Sequence, residues 1–161
     1  MSQNPNLTAG QVDIRGPRFA AWITTGVLVL VLVVSAFSVP AAAVLIGLQA
    51  IVFAIGALYG PRRSPYGRLF ATLVAPRQGP ATETEPVAPL RFAQLVGFVF
   101  AAVGFISFAS GLGVVGAIFT AFALFAAFLN AAFGICLGCM IYPLAQRLIQ
   151  RSPAESTSVT S

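Results

Sequence analysis

The stretch FAQLVGFVFAAVGFISFASGLGVVGAIFTAFALFAAFLNAAFGICLGCMIYPLAQ, residues 92–146, contains no charged side chain. A helix crosses the hydrocarbon core of a bilayer with about 20 apolar residues, so this stretch is too long for one span. Ser110, Gly111, Leu112 and Gly113 interrupt it, and turn-forming residues at that point divide it into two helices. The same pattern occurs upstream, where the uncharged segments 19–37 and 41–59 meet at Ser38-Val39-Pro40. These runs are continuous, whereas the strands of a membrane barrel alternate apolar and polar residues over about ten positions. The expected fold is an all-α integral membrane protein, with four transmembrane helices forming two helical hairpins in a small four-helix bundle.

Composition agrees. Hydrophobic residues make up 58% of the chain, charged residues 8%, and mean hydropathy is +0.90, whereas a soluble domain is roughly a quarter charged. The first span is expected to be retained: its apolar part exceeds the roughly 7–15 residues of a signal peptide and hydrophobic sequence resumes directly after it. The expected organisation is a tail over 1–18, a first hairpin over 19–59, a loop over 60–91, a second hairpin over 92–142 and a tail over 143–161.

Charge predicts orientation. All nine cationic residues are arginines. They fall in the N-terminal tail (Arg15, Arg18), the central loop (Arg62, Arg63, Arg68, Arg77, Arg91) and the C-terminal tail (Arg147, Arg151), while the two short turns carry none. The positive-inside rule then places both termini and the central loop in the cytoplasm, as an even number of spans requires, in a multi-pass protein of the plasma (inner) membrane. The net charge of +5 is read as topogenic and as attraction to anionic headgroups of the lipid bilayer, with no nucleic acid as partner.

Within the loop, SPYGRLFATLVAP (64–76) predicts a short interfacial helix. Pro65 suits a first helical position, Tyr66, Leu69, Phe70 and Leu73 share a face, and Pro76 stops the run. RQGPATETEPVAP (77–89) reads as an irregular linker, and SPAESTSVTS (152–161) has the composition of a disordered tail. A short internal repeat is present: PRFAA (17–21) and LRFAQ (90–94) open the two hairpins, and GALYG (56–60) and GICLG (134–138) close them. Duplication would relate the hairpins by an axis along the membrane normal.

At 100° per residue, Gly116, Thr120, Ala123, Ala127, Asn130, Gly134 and Gly138 fall within about 40° of one direction. Such a stripe of small residues is a helix-packing seam, with Asn130 able to hydrogen-bond across it. On a straight helix Cys136 and Cys139 take the opposite face, at roughly 200° and 140°. These are the only two cysteines of the chain, and helix rise places them at the cytoplasmic headgroup level, where thiols are kept reduced. They form a candidate redox pair. A continuous helix puts them near its C-terminus, where the dipole disfavours a thiolate; a break at Gly134 and Gly138, or a nearby arginine, would reverse that. Packing alone, redox or sulfur handling, and a metal shared with a second copy or partner are the three uses open to them. One chain with two cysteines and no histidine cannot supply four zinc ligands, and no cofactor is implied.

DIRGPRFAA (13–21), SPYGRLFATLVAPRQGP (64–80), LRFAQLVGFVF (90–100) and NAAFGICLGCMIYP (130–143) together resemble the bacterial membrane family known as domain of unknown function 4395. The resemblance runs from about residue 12 to 147. It implies four spans and a Cys-x-Gly-Cys element, here Cys136, Gly138 and Cys139, and suggests company with thioredoxin-like proteins and sulfurtransferases.

Three functions from different classes follow. The first is a membrane protein whose cytoplasm-facing dithiol exchanges electrons or relays sulfur with a soluble thioredoxin-like or sulfurtransferase partner. The second is a non-enzymatic anchor or accessory subunit. The third is a small-solute or sulfur-anion transporter acting as a homo-oligomer, with Gln49, Gln94, Ser107, Thr120 and Asn130 along its path; no ionisable side chain within the predicted spans offers proton coupling. Hydrolase chemistry is unsupported, because histidine is absent and no glycine loop cradles phosphate.

Overall fold

The computed structural model describes residues 10–150, so the segment read as a disordered tail lies outside the described residues. Each hairpin turn is built by local chemistry. Helix α1 (Arg15–Ser35) gives way to α2 (Val39–Tyr59) at Ser38, whose hydroxyl accepts the N–H of Ala41 (3.4 Å) at the first turn, where Pro40 has no N–H that needs an acceptor. The second turn uses Gly111, whose φ of 78° suits a residue without Cβ. It joins the two helices of the second hairpin, Val87–Ala109 and Gly113–Phe133. These four helices are long and apolar enough to cross a membrane, and the protein is an all-α membrane protein.

The central segment is more ordered than a helix followed by an irregular linker. It contains α3 (Pro65–Leu69), a π turn (Phe70–Val74) and α4 (Ala75–Gln78), then a strand at Thr84–Pro86 (β2), after which the two long helices are α5 and α6. Pro76 does not stop the helix. The π turn, in which the N–H of Ala75 reaches back to the Phe70 carbonyl, precedes it, and α4 ends at Gly79 with φ 70°. Strand β2 pairs antiparallel with β1 (Gln11–Asp13), with Val12 opposite Glu85. Sequence reading missed this ribbon because three-residue strands far apart in the chain have no period to detect. Arg15 holds it in place: its guanidinium pairs with Asp13 (2.8 Å) and donates to the carbonyls of Gln78, Gly79 and Pro80.

The long helices form a closed ring in which α1 touches α2 and α6, and α5 touches α2 and α6. Leu28 and Val31 of α1, Ile46 and Phe53 of α2, Phe108 of α5 and Ala123 of α6 fill the centre. Lipid tails are as apolar as these side chains, so close fit rather than exclusion from water holds them together. A Cβ on Gly116 would lie 2.7 Å from the Phe108 ring, and one on Gly97 2.9 Å from Phe53.

The order strand, two long helices, further helical segment occurs twice, about 73 residues apart, the second copy ending in α7 (Leu137–Gln150). Phe19 meets Phe70 in the first copy and Phe92 meets Tyr142 in the second, each pair with ring centroids 5.8 Å apart. The glycine pairs do not align as the repeat suggested. Gly60 and Gly134 occupy matching places, each just beyond a 21-residue helix.

A buried polar contact also ties the central loop to the bundle. The Tyr66 hydroxyl donates to Oε1 of Gln49 (2.7 Å), a side chain only 1% exposed. Tyr66→Phe leaves that oxygen without its donor and is expected to lower stability by about 1 kcal/mol. Adding Gln49→Leu should recover most of the loss, as thermal unfolding in detergent would show.

Candidate functional site: a dithiol at the mouth of a cleft

Helix α6 ends sooner than the apolar run does. Gly134 adopts the left-handed conformation (φ 69°) and returns its N–H to the Asn130 carbonyl (3.1 Å), while the N–H of Ile135 reaches that of Leu129 (3.3 Å). The chain then restarts as α7, and Pro143, expected to begin a tail, lies inside this helix. The cysteines are therefore at a helix N-terminus and not at the end of a straight transmembrane helix. Cys136 immediately precedes α7; its carbonyl accepts the N–H of Met140 (3.0 Å) and its Sγ accepts that of Cys139 (3.4 Å). This is an N-cap made with sulfur.

The expectation of a dipole opposed to the thiolate is overturned, because the break at Gly134 turns the relevant dipole end from negative to positive. Cys139 donates its S–H to Cys136, with the sulfurs 2.6 Å apart, and both side chains are partly buried. That hydrogen bond, opposed by desolvation and aided by the backbone N–H groups of Cys139 and Gly138, holds the Cys136 thiol below its ordinary pKa; the charge of Glu85 works against it. The same hydrogen bond, with burial, raises that of Cys139. The carboxyl of Glu85 is itself raised by burial and lowered by Arg18. The pair thus consists of an activated thiol and a second thiol within bonding reach of it.

Helix α7 is seated on α5. Tyr142 packs on Phe92, and a Cβ on Gly138 would come 2.5 Å from the Cα of Ala93. Gly138 is therefore a contact residue, against α5, on a different helix from the rest of the predicted seam. Gly116, Thr120 and Ala123 are buried, Ala127 and Asn130 partly so, and Gly134 is exposed with nothing within 4 Å of its Cβ position.

Cys136 lines a cleft of about 1320 Å³ that runs between α1, α5, α6 and the segments at the charged end of the bundle. Of the polar residues singled out in the sequence, Gln94 and Asn130 line it. Ser107 and Thr120 instead donate to the carbonyls of Val103 and Gly116 (2.8 Å each), and Gln49 accepts from Tyr66 at Oε1 while its buried Nε2 has no partner among the described residues. Sequence reading missed Thr24, which lines the cleft and is 5% exposed. Its signal was the pair Thr24-Thr25 inside an otherwise apolar span. No group of three or more His, Cys, Asp or Glu side chains that could hold a metal lies together among the described residues.

Residues 12–147 match the model of the family described as domain of unknown function (DUF4395). The chain belongs to this family. Its matched region takes in both copies of the repeat unit, the Cys136–Cys139 pair and most of α7. No curated protein and no solved structure matches the chain.

Proposed function

We propose that this DUF4395 protein is a thiol-exchange protein of the plasma membrane, oriented with both termini and the dithiol toward the cytoplasm. The observation that carries the reading is the seat of Cys136: it caps the N-terminus of α7 with its sulfur touching that of Cys139. The arginine-rich end of the bundle, which holds the central loop and α7, supports the orientation.

In the exchange, the Cys136 thiolate attacks a disulfide of a soluble thioredoxin-like partner and expels one partner thiolate. Cys139 loses its proton and attacks Cys136, forming the internal disulfide and releasing the second partner thiolate. Run backwards, the same steps reduce the internal disulfide. A sulfurtransferase persulfide would meet Cys136 in the same way, passing its outer sulfur to the thiolate.

Alkylation against pH tests the reading. A lowered pKa means more thiolate at a given pH, so Cys136 should label at lower pH than a free cysteine, and Cys139 only at higher pH. Cys139→Ala removes the main stabilising hydrogen bond and should move the Cys136 midpoint upward; Glu85→Gln should move it downward. A Cys136 profile identical in all three proteins would sink the reading.

A further inference from the structure

A dithiol that becomes a disulfide gives up two electrons and two protons, and something must receive them. A soluble protein can serve one side of such an exchange. Placing the dithiol on a membrane bundle gains a purpose when the other reactant is dissolved in lipid, and the cleft has the features such a reactant needs.

Cys136 stands among its lining residues, and Cys139 does not. From there the cleft descends along α1 to Thr24, about 14 Å from the start of that helix at 1.5 Å per residue. Phe53 and Phe100 line this part, and Phe100 packs against Phe119 and Phe122. Three neutral polar side chains interrupt the apolar wall, one from each of three helices: Thr24, Gln94 and Asn130. None is hydrogen-bonded among the described residues, although Thr24 is 95% buried by its exposure of 5%. A hydroxyl on a buried residue, unpartnered and open to the cleft, is a place for a ligand's oxygen. Phe122 and Phe125 line the wall and also face outward from the bundle, each 58% exposed, which gives the cleft a side toward lipid.

The charged lining groups argue against an anionic thiol or a peptide. Asp13 and Arg62 are both in the segments outside the bundle; Asp13 is paired with Arg15, and Arg62 donates to the Gln11 carbonyl (3.0 Å). No free cation among the described lining residues waits for a carboxylate.

We infer that the cleft binds a lipid-soluble quinone as the two-electron acceptor for the Cys136–Cys139 dithiol, with Thr24, Gln94 and Asn130 as hydrogen-bonding groups for its carbonyl oxygens. The inference rests on the thiol-exchange reading and names its second substrate. In the step, the Cys136 thiolate adds to a ring carbon and forms a C–S bond. Cys139, deprotonated, attacks the Cys136 sulfur; the S–S bond forms, the C–S bond breaks, and its electron pair passes to the ring. The two thiol protons end on the ring oxygens, so dithiol and quinone become disulfide and quinol.

The test uses the full chain, pre-reduced, in lipid nanodiscs without oxygen. The probes are a decyl-tailed, ring-substituted benzoquinone and, in parallel, a small aromatic disulfide. The expected result is one quinol formed per internal disulfide, and none with Cys136→Ser. Thr24→Val and Asn130→Leu should each raise the quinone concentration for half-maximal rate about tenfold, while leaving the reaction with the aromatic disulfide unchanged. Oxidation by the aromatic disulfide but not by the quinone overturns this inference and leaves the thiol-exchange reading standing. Failure of both probes removes both. Quinol formation at wild-type concentrations in the two cleft variants would mean that the quinone reacts from outside the cleft, and would overturn the site.

Discussion

With Cys139 changed to serine, a single encounter between the protein and a small aromatic disulfide is expected to stop halfway. Cys136 would release one aromatic thiolate and remain attached to the other half, whereas the wild-type chain would release both and close its own disulfide. Changing Cys136 to serine should slow the first release, because Cys139 must then react by itself and burial still holds its thiol up after the hydrogen bond between the sulfurs is gone. The asymmetry is the informative part. Two cysteines that merely pack a helix would react at similar rates in the two variants, and the wild-type chain would take up two aromatic halves instead of closing its own disulfide. Thiol titration and intact mass distinguish the two outcomes within one experiment.

The second large effect is structural. Gly138→Ala places a methyl group 2.5 Å from the Cα and 2.6 Å from the Cβ of Ala93. The obstacle is backbone, so no rotamer change relieves it, and α7 must lift from α5. Overpacking of this kind destabilises by about 1–3 kcal/mol, and alanine's better helix propensity returns about 1 kcal/mol of that. The larger consequence is local: the Tyr142–Phe92 contact opens, Cys139 becomes accessible, and its alkylation accelerates toward that of Cys136. Gly134→Ala provides the contrast. Nothing lies within 4 Å of its Cβ position, so only the strain of a positive φ applies, about 1 kcal/mol. Equal thiol exposure in the two variants would show that the seat of α7 on α5 does not control the pair.

The two glycines show where reading the chain alone loses accuracy. On a straight helix they fall four positions apart on one stripe, and both read as packing residues. In the fold they do different work: Gly134 ends one helix with a left-handed turn, and Gly138 lets the next one approach Ala93. Nothing in the apolar composition around them marks the break, because the segment beyond it remains uncharged as far as Gln146. The position of the cysteines relative to a helix end, on which their chemistry turns, therefore could not be settled from hydropathy.

The central loop divides similarly. Its helix, with Ser64 accepting the Gly67 N–H (3.1 Å) and Pro65 in the first turn, was legible from local chemistry. The ribbon joining Gln11–Asp13 to Thr84–Pro86, and the hold of Arg15 on three carbonyls of the linker, were not. Likewise Gln94 and Asn130 stood out as polar residues in apolar runs, but that they share a cleft with Thr24 follows only from the fold.

By itself the sequence determined the class of the protein and the number of its membrane helices, because the bilayer demands long uncharged runs whose backbone is satisfied within each helix. Tertiary structure alone decided that α6 stops at Phe133, that Cys136 caps a new helix, and that three distant polar groups line one cleft. The reason is physical. Membrane insertion depends on the summed hydrophobicity of a segment, which is local, whereas a thiol's reactivity and a cleft's lining depend on atoms brought within a few ångströms by residues far apart in the chain.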